Sequence, residues 1–442
     1  MTVPLRTPVL PAPAAGVTIT PSAPNRLDDP RYDATPAVAD ALAAAAAHLR
    51  AGRTVAFPTE TVYGLGAHSL DPAAVAKVYE IKGRPRDNPL IIHVSSLAML
   101  RRLLPQDYAL SPLYLALVDA YWPGPLTLLF PNPAPPALPA PQTNGIRMPN
   151  HPLALALIAK ADLPVSAPSA NSSGRPSPTR AAHVAHDLDG AEGLGCILDG
   201  GACGVGVEST VVDGLGWKAG GGGAVNVLRP GGLGVEDIAR IVRAVDATHG
   251  GETDILVHGK PWRRGGGATS APTPKPNPDA APSTPGMKYR HYSPRVPVYL
   301  FLPSTVFPRP AISSSVTEPS EVVRAIATKT RADRTPKFGL LHFTDSPLSK
   351  ALARVPGVDM TLRSLGPDAT SAAQALFDGL LSLEADGTDA GVDAIIVEGC
   401  SDDGLGLAVM ERVGKAVGGG GVTGALGNGQ GASDAGRFWV QV

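Results

Sequence analysis

Residues 246–286 interrupt the folding texture of this chain, with "RRGGGATSAPTPKPNPDAAPSTPG" at their heart. Almost nothing there is apolar, so the stretch cannot bury a core and reads as a linker. A chain cut in this way must fold as two bodies, one before the interruption and one after it. The 442 residues fit that division. The expected organisation is a disordered leader (1–33), an α/β domain (34–245), a flexible linker and lid (246–295) and a smaller Rossmann-like domain (296–442). Hydrophobic residues make up 43% of the chain, enough for two cores.

Charged residues are only 17%, and the net charge is −1. Overall charge therefore argues against a strongly basic nucleic-acid protein and leaves a local basic cleft open. Cys196, Cys203 and Cys400 form no CxxC pair, so neither a disulfide framework nor a zinc site is expected, and a reducing compartment fits. No run of 18 apolar residues suggests a membrane helix. The leader "MTVPLRTPVLPAPAAGVTITPSAPNR" has two arginines and no acid, which is weakly like a transit peptide. Its prolines spoil an amphipathic helix, so the cytoplasm is the main expectation and organellar import the alternative.

Between residues 35 and 245 short apolar runs alternate with helical patterns. Thr35 followed by Pro36, and Asp71 followed by Pro72, are two helix starts of the same kind. "TVAFP", "NPLIIHV", "LTLLF", "GIRMP", "PVSAPSAN", "CILDGG", "ESTVVD" and "VNVLRPG" read as strands or strand ends. This mixture predicts an α/β domain, and the same alternation after Arg295 predicts a small parallel sheet.

Polar clusters gather at strand ends, where α/β folds place ligand sites. In "PTETVYG", Thr59, Thr61 and Tyr63 share a face if the strand continues; a half-exposed strand end is the plainer reading. "KGRPRDNPLIIHV" sets Lys82, Arg84 and Arg86 on a loop broken by Gly83 and Pro85. Cations near a helix C-terminus explain it simply; a polyphosphate clamp is the sharper reading. His93 ends the apolar run that follows, where a satisfied core histidine is the ordinary case. "GIRMPNHP" carries Arg147, "GVGVESTVVD" carries Glu208 and Ser209, and "NVLRPGG" carries Arg229. "PVSAPSANSSGRPSPT" crowds Ser166, Ser169, Asn171, Ser172 and Ser173 into a turn able to hold an anion, or into an ordinary Ser/Pro loop. "GMKYRHYSP", with Tyr292, adjoins the linker as either a hinge or a lid. No P-loop, GxSxG, HExxH or kinase motif set is present.

In this order, "FPTETVYGLGA", "KGRPRDNPLIIHV", "WPGPLTLL", "IRMPNHP", "APSANSSGRPSPT", "GVESTVVD" and "LRPGG" resemble the YrdC-type threonylcarbamoyl-AMP synthase family over residues 54–232. "PGMKYRHYSP" with a further domain resembles that family's long form. The resemblance implies an α/β fold: a YrdC-like twisted mixed-sheet domain with a concave cationic cleft, plus a Rossmann-like C-terminal domain. It implies condensation of L-threonine, bicarbonate and ATP into L-threonylcarbamoyladenylate, pyrophosphate and water. The product serves tRNA modification beside the anticodon and passes to a separate transferase complex, with a tRNA contact among the implied partners. No membrane is involved.

By the same resemblance, the signature falls on Lys82, Arg84, Ser169 and Asn171. Lys82, Arg86, Thr143, Ser169, Asn171, Arg229 and Tyr292 face ATP; Thr59, His93, Arg147, Ser166 and Ser209 face threonine. Magnesium comes with ATP, and no protein metal ligand is expected. The leader, the long linker and a Gly-rich insertion near residue 420 depart from the family pattern. Two other readings stand beside this one. One is a non-catalytic module holding double-stranded RNA or tRNA in the same cleft. The other is a carbamoyl-phosphate-using relative, whose zinc ligands these cysteines cannot supply.

Overall fold

The computed structural model describes residues 6–132, 143–262, 291–307, 317–330, 334–385, 391–417 and 436–442. The chain divides into two compact units: Met1–Ser173 with Ser177–Lys288, and Gly174–Pro176 with Tyr289–Val442.

In chain order the first unit holds β1 (Val9–Pro11), β2 (Val17–Thr20), β3 (Arg31–Ala34), α1 (Pro36–Arg50), β4 (Thr54–Phe57), β5 (Gly64–His68), α2 (Pro72–Lys82), β6 (Ile92–His93) and α3 (Leu97–Arg101). It continues with α4 (Pro112–Tyr121), β7 (Leu126–Pro131), β8 (Thr143–Arg147), α5 (Pro152–Ala161), β9 (Val165–Ser166), α6 (Ala181–Leu188) and β10 (Leu194–Asp199). β11 (Thr210–Asp213), β12 (Ala224–Arg229), α7 (Val235–His249), β13 (Asp254–Val257) and β14 (Lys260–Pro261) complete it. Apart from the β2–β3 hairpin, these strands form one mixed sheet in the order β1-β10-β4-β5-β9-β6-β8-β7-β11-β12-β13-β14.

The helices form where the sequence sets them. α1 buries Val38, Ala41, Leu42, Ala45, Ala46 and Leu49, the three-and-four spacing of one helix face. Pro36 opens it, although the Thr35 side chain makes no capping bond. Asp71 does cap α2, accepting from the Ala73 N–H, and Gly83 ends that helix at φ +58°, a left-handed turn that favours glycine. α2 and α6 lay Ala74, Val78, Val184 and Leu188 against Ala56, Leu65 and Ile197 of the sheet. Each of the larger side chains contributes about 1.5–3 kcal/mol by leaving water.

Three expectations change. From residue 6 onward the supposed leader is folded: β1 pairs in parallel with β10, and β2 with β3 as a hairpin. An edge strand pairs on one side only, so prolines that spoil a helix are tolerated there. The Asp189 carboxylate fastens this segment by accepting from the N–H groups of Arg6 and Thr7. The supposed linker also begins later. α7 runs to His249, and β13 adds in parallel to β12. The buried Asp246 carboxylate explains the capture, accepting from Trp217 Nε1 (3.1 Å), Thr253 N (2.9 Å) and Thr253 Oγ1 (2.8 Å). Residues 263–290 of the expected linker, including Lys288, Tyr289 and Arg290, and the Gly-rich insertion lie outside the described residues. The third change is the TET stretch. β4 stops at Phe57 and β5 begins at Gly64, so Thr59, Thr61 and Tyr63 sit in a loop rather than along a strand face.

The second unit holds β15 (Val298–Pro303), α8 (Pro319–Thr330), β16 (Lys337–His342), α9 (Pro347–Leu352), β17 (Asp359–Ser364), α10 (Ala369–Ala385), β18 (Ala394–Glu398), α11 (Gly406–Ala416) and β19 (Arg437–Val440). Its sheet is parallel throughout, in the order β17-β16-β18-β15-β19. Phe301, Val323, Phe338, Leu340, Leu348 and Ile396 fill one face of it. Near-continuous apolar strands are what a sheet covered on both faces requires.

Candidate active site

The polar loops of the first unit converge because its central strands are very short. β6 has two residues and pairs with β8 and β9; β9 has two and pairs with β5 and β6. The loops flanking them are therefore neighbours. A bridge between Gly64 and Ser169 ties the TET loop's exit to the Ser/Asn loop. The register also sets His93 directly beside Arg147.

Lys82 is the last residue of α2 and is 3% exposed. Its Nζ donates to the carbonyl oxygens of Ser169 (2.5 Å) and Asn171. Burial, with Arg84 beside it, holds the Lys82 ammonium well below the usual lysine range; Asp187 and Glu208 pull the other way. Asp187 on α6 shapes the same loop, its carboxylate accepting from Ser172 N (2.7 Å) and Ser172 Oγ (3.2 Å). The other two cations of "KGRPR" do not join Lys82 on the Ser/Asn loop. Arg84 folds onto its own loop, donating to the carbonyls of Asn88 (3.1 Å) and Pro89 (3.0 Å), and Arg86 is exposed. A fork satisfied by nearby carbonyls is a loop brace, so the expected three-cation clamp reduces to Lys82 backed by that brace.

The second cluster surrounds Arg147, 3% exposed at the end of β8. Its Nη1 donates to Thr61 Oγ1 (3.0 Å), its Nε to the Gly124 carbonyl (3.1 Å), and its Nη2 stands 2.5 Å from Glu60 Oε1. Thr59 is occupied locally: its hydroxyl donates to the Val62 carbonyl (2.7 Å) and accepts from Thr61 N and Val62 N. That turn aims Thr61 at the arginine. His93 meets Phe57 edge-on, and its Nδ1 lies 3.2 Å from the Ile91 carbonyl. Burial and the Arg147 charge push it down to about 3, so His93 is neutral. His151, before α5, is brought to about 4 by burial. Ser166 is buried, its hydroxyl donating to Ser69 Oγ at 3.0 Å.

A third cluster joins Ser209 and Arg229. Ser209 Oγ and Thr127 Oγ1 are 2.8 Å apart, and Arg229 Nη2 donates to the Ser209 carbonyl (2.8 Å) and hydroxyl (3.2 Å). Glu208 accepts from Ser177 Oγ at 2.5 Å, and its charge reaches Lys82, linking this cluster to the first. Thr143 starts β8, four residues before Arg147, and is half-buried. Tyr292 belongs to the second unit, where it is buried against Phe377 (5.2 Å between ring centroids) and under the Arg412 guanidinium. Among the described residues no group of three His, Cys, Asp or Glu side chains is placed to hold a metal ion, and no helix is long and apolar enough to cross a membrane.

Sequence reasoning set Thr61 on a face with Thr59 and Tyr63 without pairing it to Arg147, and gave no individual role to Glu60, Asp187 or Thr127. Glu60 and Thr61 stood inside the TET motif. Asp187 lies 15 residues beyond the serine it holds, a separation that no local pattern reports.

The site is thus a buried set of cations, hydroxyls and turned backbone, with no activated nucleophile. Comparison with known proteins agrees with this chemistry. Residues 47–231 match a family model described as "Telomere recombination", and residues 235–418 match the threonylcarbamoyl-AMP synthase C-terminal domain. The threonylcarbamoyl-AMP synthase of Schizosaccharomyces pombe is 39% identical over 395 residues, covering 82% of this chain and 84% of its own. That of Bacillus subtilis is 38% identical over 385 residues, covering 86% and 93%. A crystal structure of Pyrococcus abyssi Sua5 complexed with L-threonine superimposes with a TM-score of 0.62 at 36% identity, covering 86% of this chain and 94% of that one. Both halves are matched in order and nearly end to end: the chain belongs to the threonylcarbamoyl-AMP synthase family.

Proposed function

We propose that the first unit condenses L-threonine, bicarbonate and ATP into L-threonylcarbamoyladenylate, with release of pyrophosphate and water. The product supplies the threonylcarbamoyl group of the tRNA adenosine beside the anticodon, through a separate transferase. The observation that carries this reading is the trio Lys82, Arg147 and Arg229. They are 3%, 3% and 6% exposed, and each is tied to a hydroxyl-bearing loop of the first unit. The P. abyssi relative's complex with L-threonine supports threonine as the amino-acid substrate.

The chemistry needs no enzyme nucleophile. Once the threonine ammonium has lost a proton to solvent, the free amine attacks the carbon of bicarbonate, water leaves, and the resulting carbamate oxygen displaces pyrophosphate from the α-phosphorus. Positioning and charge stabilisation are the protein's contributions. An ammonium disfavoured by burial gains most when phosphate arrives, which suits Lys82 to the triphosphate. Magnesium enters as the counter-ion of ATP, part of the substrate. Arg147, whose guanidinium keeps hydrogen-bonding capacity beyond Thr61 and Gly124, suits the amino-acid carboxylate.

The test is pyrophosphate release from ATP, magnesium and bicarbonate with and without L-threonine. Release that requires threonine is expected. Release indifferent to threonine, or steeply salt-dependent RNA binding with no turnover, counts against the proposal.

A further inference from the structure

Glu60 is the central residue of the TET loop, and neither its position nor its chemistry is explained by packing. Its side chain is 11% exposed. Its backbone is fixed from outside the loop, the carbonyl accepting from Val205 N at 2.7 Å, so the side chain is held in place. The carboxylate is close enough for its charge to act on His151 and on the Cys203 thiol.

As a mere counter-ion for Arg147, Glu60 would be expected to form a two-pronged, hydrogen-bonded fork. The structure shows something else. Arg147 Nη2 lies 2.5 Å from Glu60 Oε1, yet neither carboxylate oxygen has a hydrogen-bond donor among the described residues. Arg147 Nη2 likewise has no acceptor in hydrogen-bond geometry, and buried His151 Nδ1 has no partner. Pairing lowers the cost of burying the two charges, but hydrogen-bonding capacity left unused in the interior is still costly. An anionic acceptor and a cationic donor, in ion contact but each with hydrogen-bonding capacity unused at the contact, are the complement of one chemical object: a zwitterion whose ammonium and carboxylate leave the same carbon.

We propose that Glu60 receives the α-ammonium of the amino-acid substrate while Arg147 takes its α-carboxylate. This rests on the threonine reading of the same site and adds the residue that recognises the nitrogen. The ion pair has a second use. It neutralises both side chains before substrate arrives, so neither charge stands alone in the interior. It also makes the site selective: a 2-hydroxy acid or an amino-acid amide satisfies only one partner and leaves the other buried and unpaired. His151, held neutral, adds no competing cation beside the ammonium site.

The experiment measures binding of L-threonine and of 2,3-dihydroxybutanoate, which replaces the amine by a hydroxyl, to the full chain by calorimetry. Wild-type protein should prefer threonine by about tenfold or more, the scale of one buried charge-assisted contact. Glu60→Gln, equal in size and without charge, should lose most of that preference while keeping its affinity for the hydroxy acid. Glu60→Asp, which keeps the charge one methylene further back, should fall between, and it carries the test if the Gln variant does not fold. The inference is overturned if wild-type protein binds both ligands alike, if folded Glu60→Gln keeps the full preference, or if Glu60→Asp equals wild type with Gln unavailable as a folded protein. Wild-type protein that binds no threonine at all removes the threonine reading itself, a result distinguishable from these three.

Discussion

The two units solve the same packing problem in opposite ways. Each wraps helices around a sheet. The second keeps its interior almost wholly apolar, with Ser346, Ser349, Glu398 and Arg412 as the buried polar side chains among its described residues. The first buries Lys82, His93, Arg147, Glu208 and Arg229, with many hydroxyls, in its interior. Buried polar groups cost stability unless matched. The first unit therefore gives up stability to hold a prearranged charge pattern, and the second has no such burden. Chemistry is placed in the unit with the more polar interior.

Four measurements test that contrast. Phe338→Ala opens a cavity in the apolar sheet of the second unit and should cost about 3–5 kcal/mol in chemical denaturation. An equal loss of turnover in the fraction still folded would contradict a purely structural role for that core. Lys82→Ala should do the reverse, lowering turnover roughly 10²–10³-fold with a smaller change in unfolding free energy. If Lys82→Ala unfolds the unit as readily as Phe338→Ala does the other, the polar interior is a core like any other. Arg147→Lys keeps the charge facing Glu60 but removes the fork. The apparent KM for threonine should rise about tenfold with kcat changed less; a fall confined to kcat would reverse the assignment of ligands.

The smallest effect is in acid. His93 and His151 have folded values near 3 and 4 against an ordinary 6.5, so both are neutral when folded. Their stabilisation is complete above pH 6.5 and is lost as pH falls, toward 4 for His151 and toward 3 for His93. Glu398 in the second unit has the opposite sign: burial raises its carboxyl, so acidification relieves it. Calorimetry between pH 7 and 5 should lower the melting of the first unit and spare the second. Coincident shifts in both would mean that the contrast is not electrostatic.

Much of this was legible in the sequence, and what was hidden has identifiable causes. The second unit alternates long apolar runs with helical patterns, and its strands β15, β16 and β18 fall where those runs predict. In the first unit the motif clusters were visible, but their geometry was not. β6 and β9 are too short to show a period of two. β5 was missed because "GLGAH" is rich in glycine, which local propensity disfavours in strands. Gly66 is there for closeness: a Cβ at that position would stand 2.7 Å from both Phe57 and Val165. The TET motif read as an alternating face, whereas the Thr59 hydroxyl turns the backbone away from strand geometry. Glu60, Asp187 and Asp246 act on residues distant in sequence or on orphaned neighbours, which no local window detects.

The pairing of β1 with β10 has a consequence for the rest of the sheet. Without it, β10 would present a bare row of backbone donors and acceptors, ready to recruit another molecule's strand. The proline-studded N-terminal segment occupies that row, and Pro8 and Pro11, lacking N–H groups, offer little to a further strand. Residues 8–11 thus shield that edge, and a chain trimmed to begin at α1 should clump more readily even with every ligand-facing residue intact.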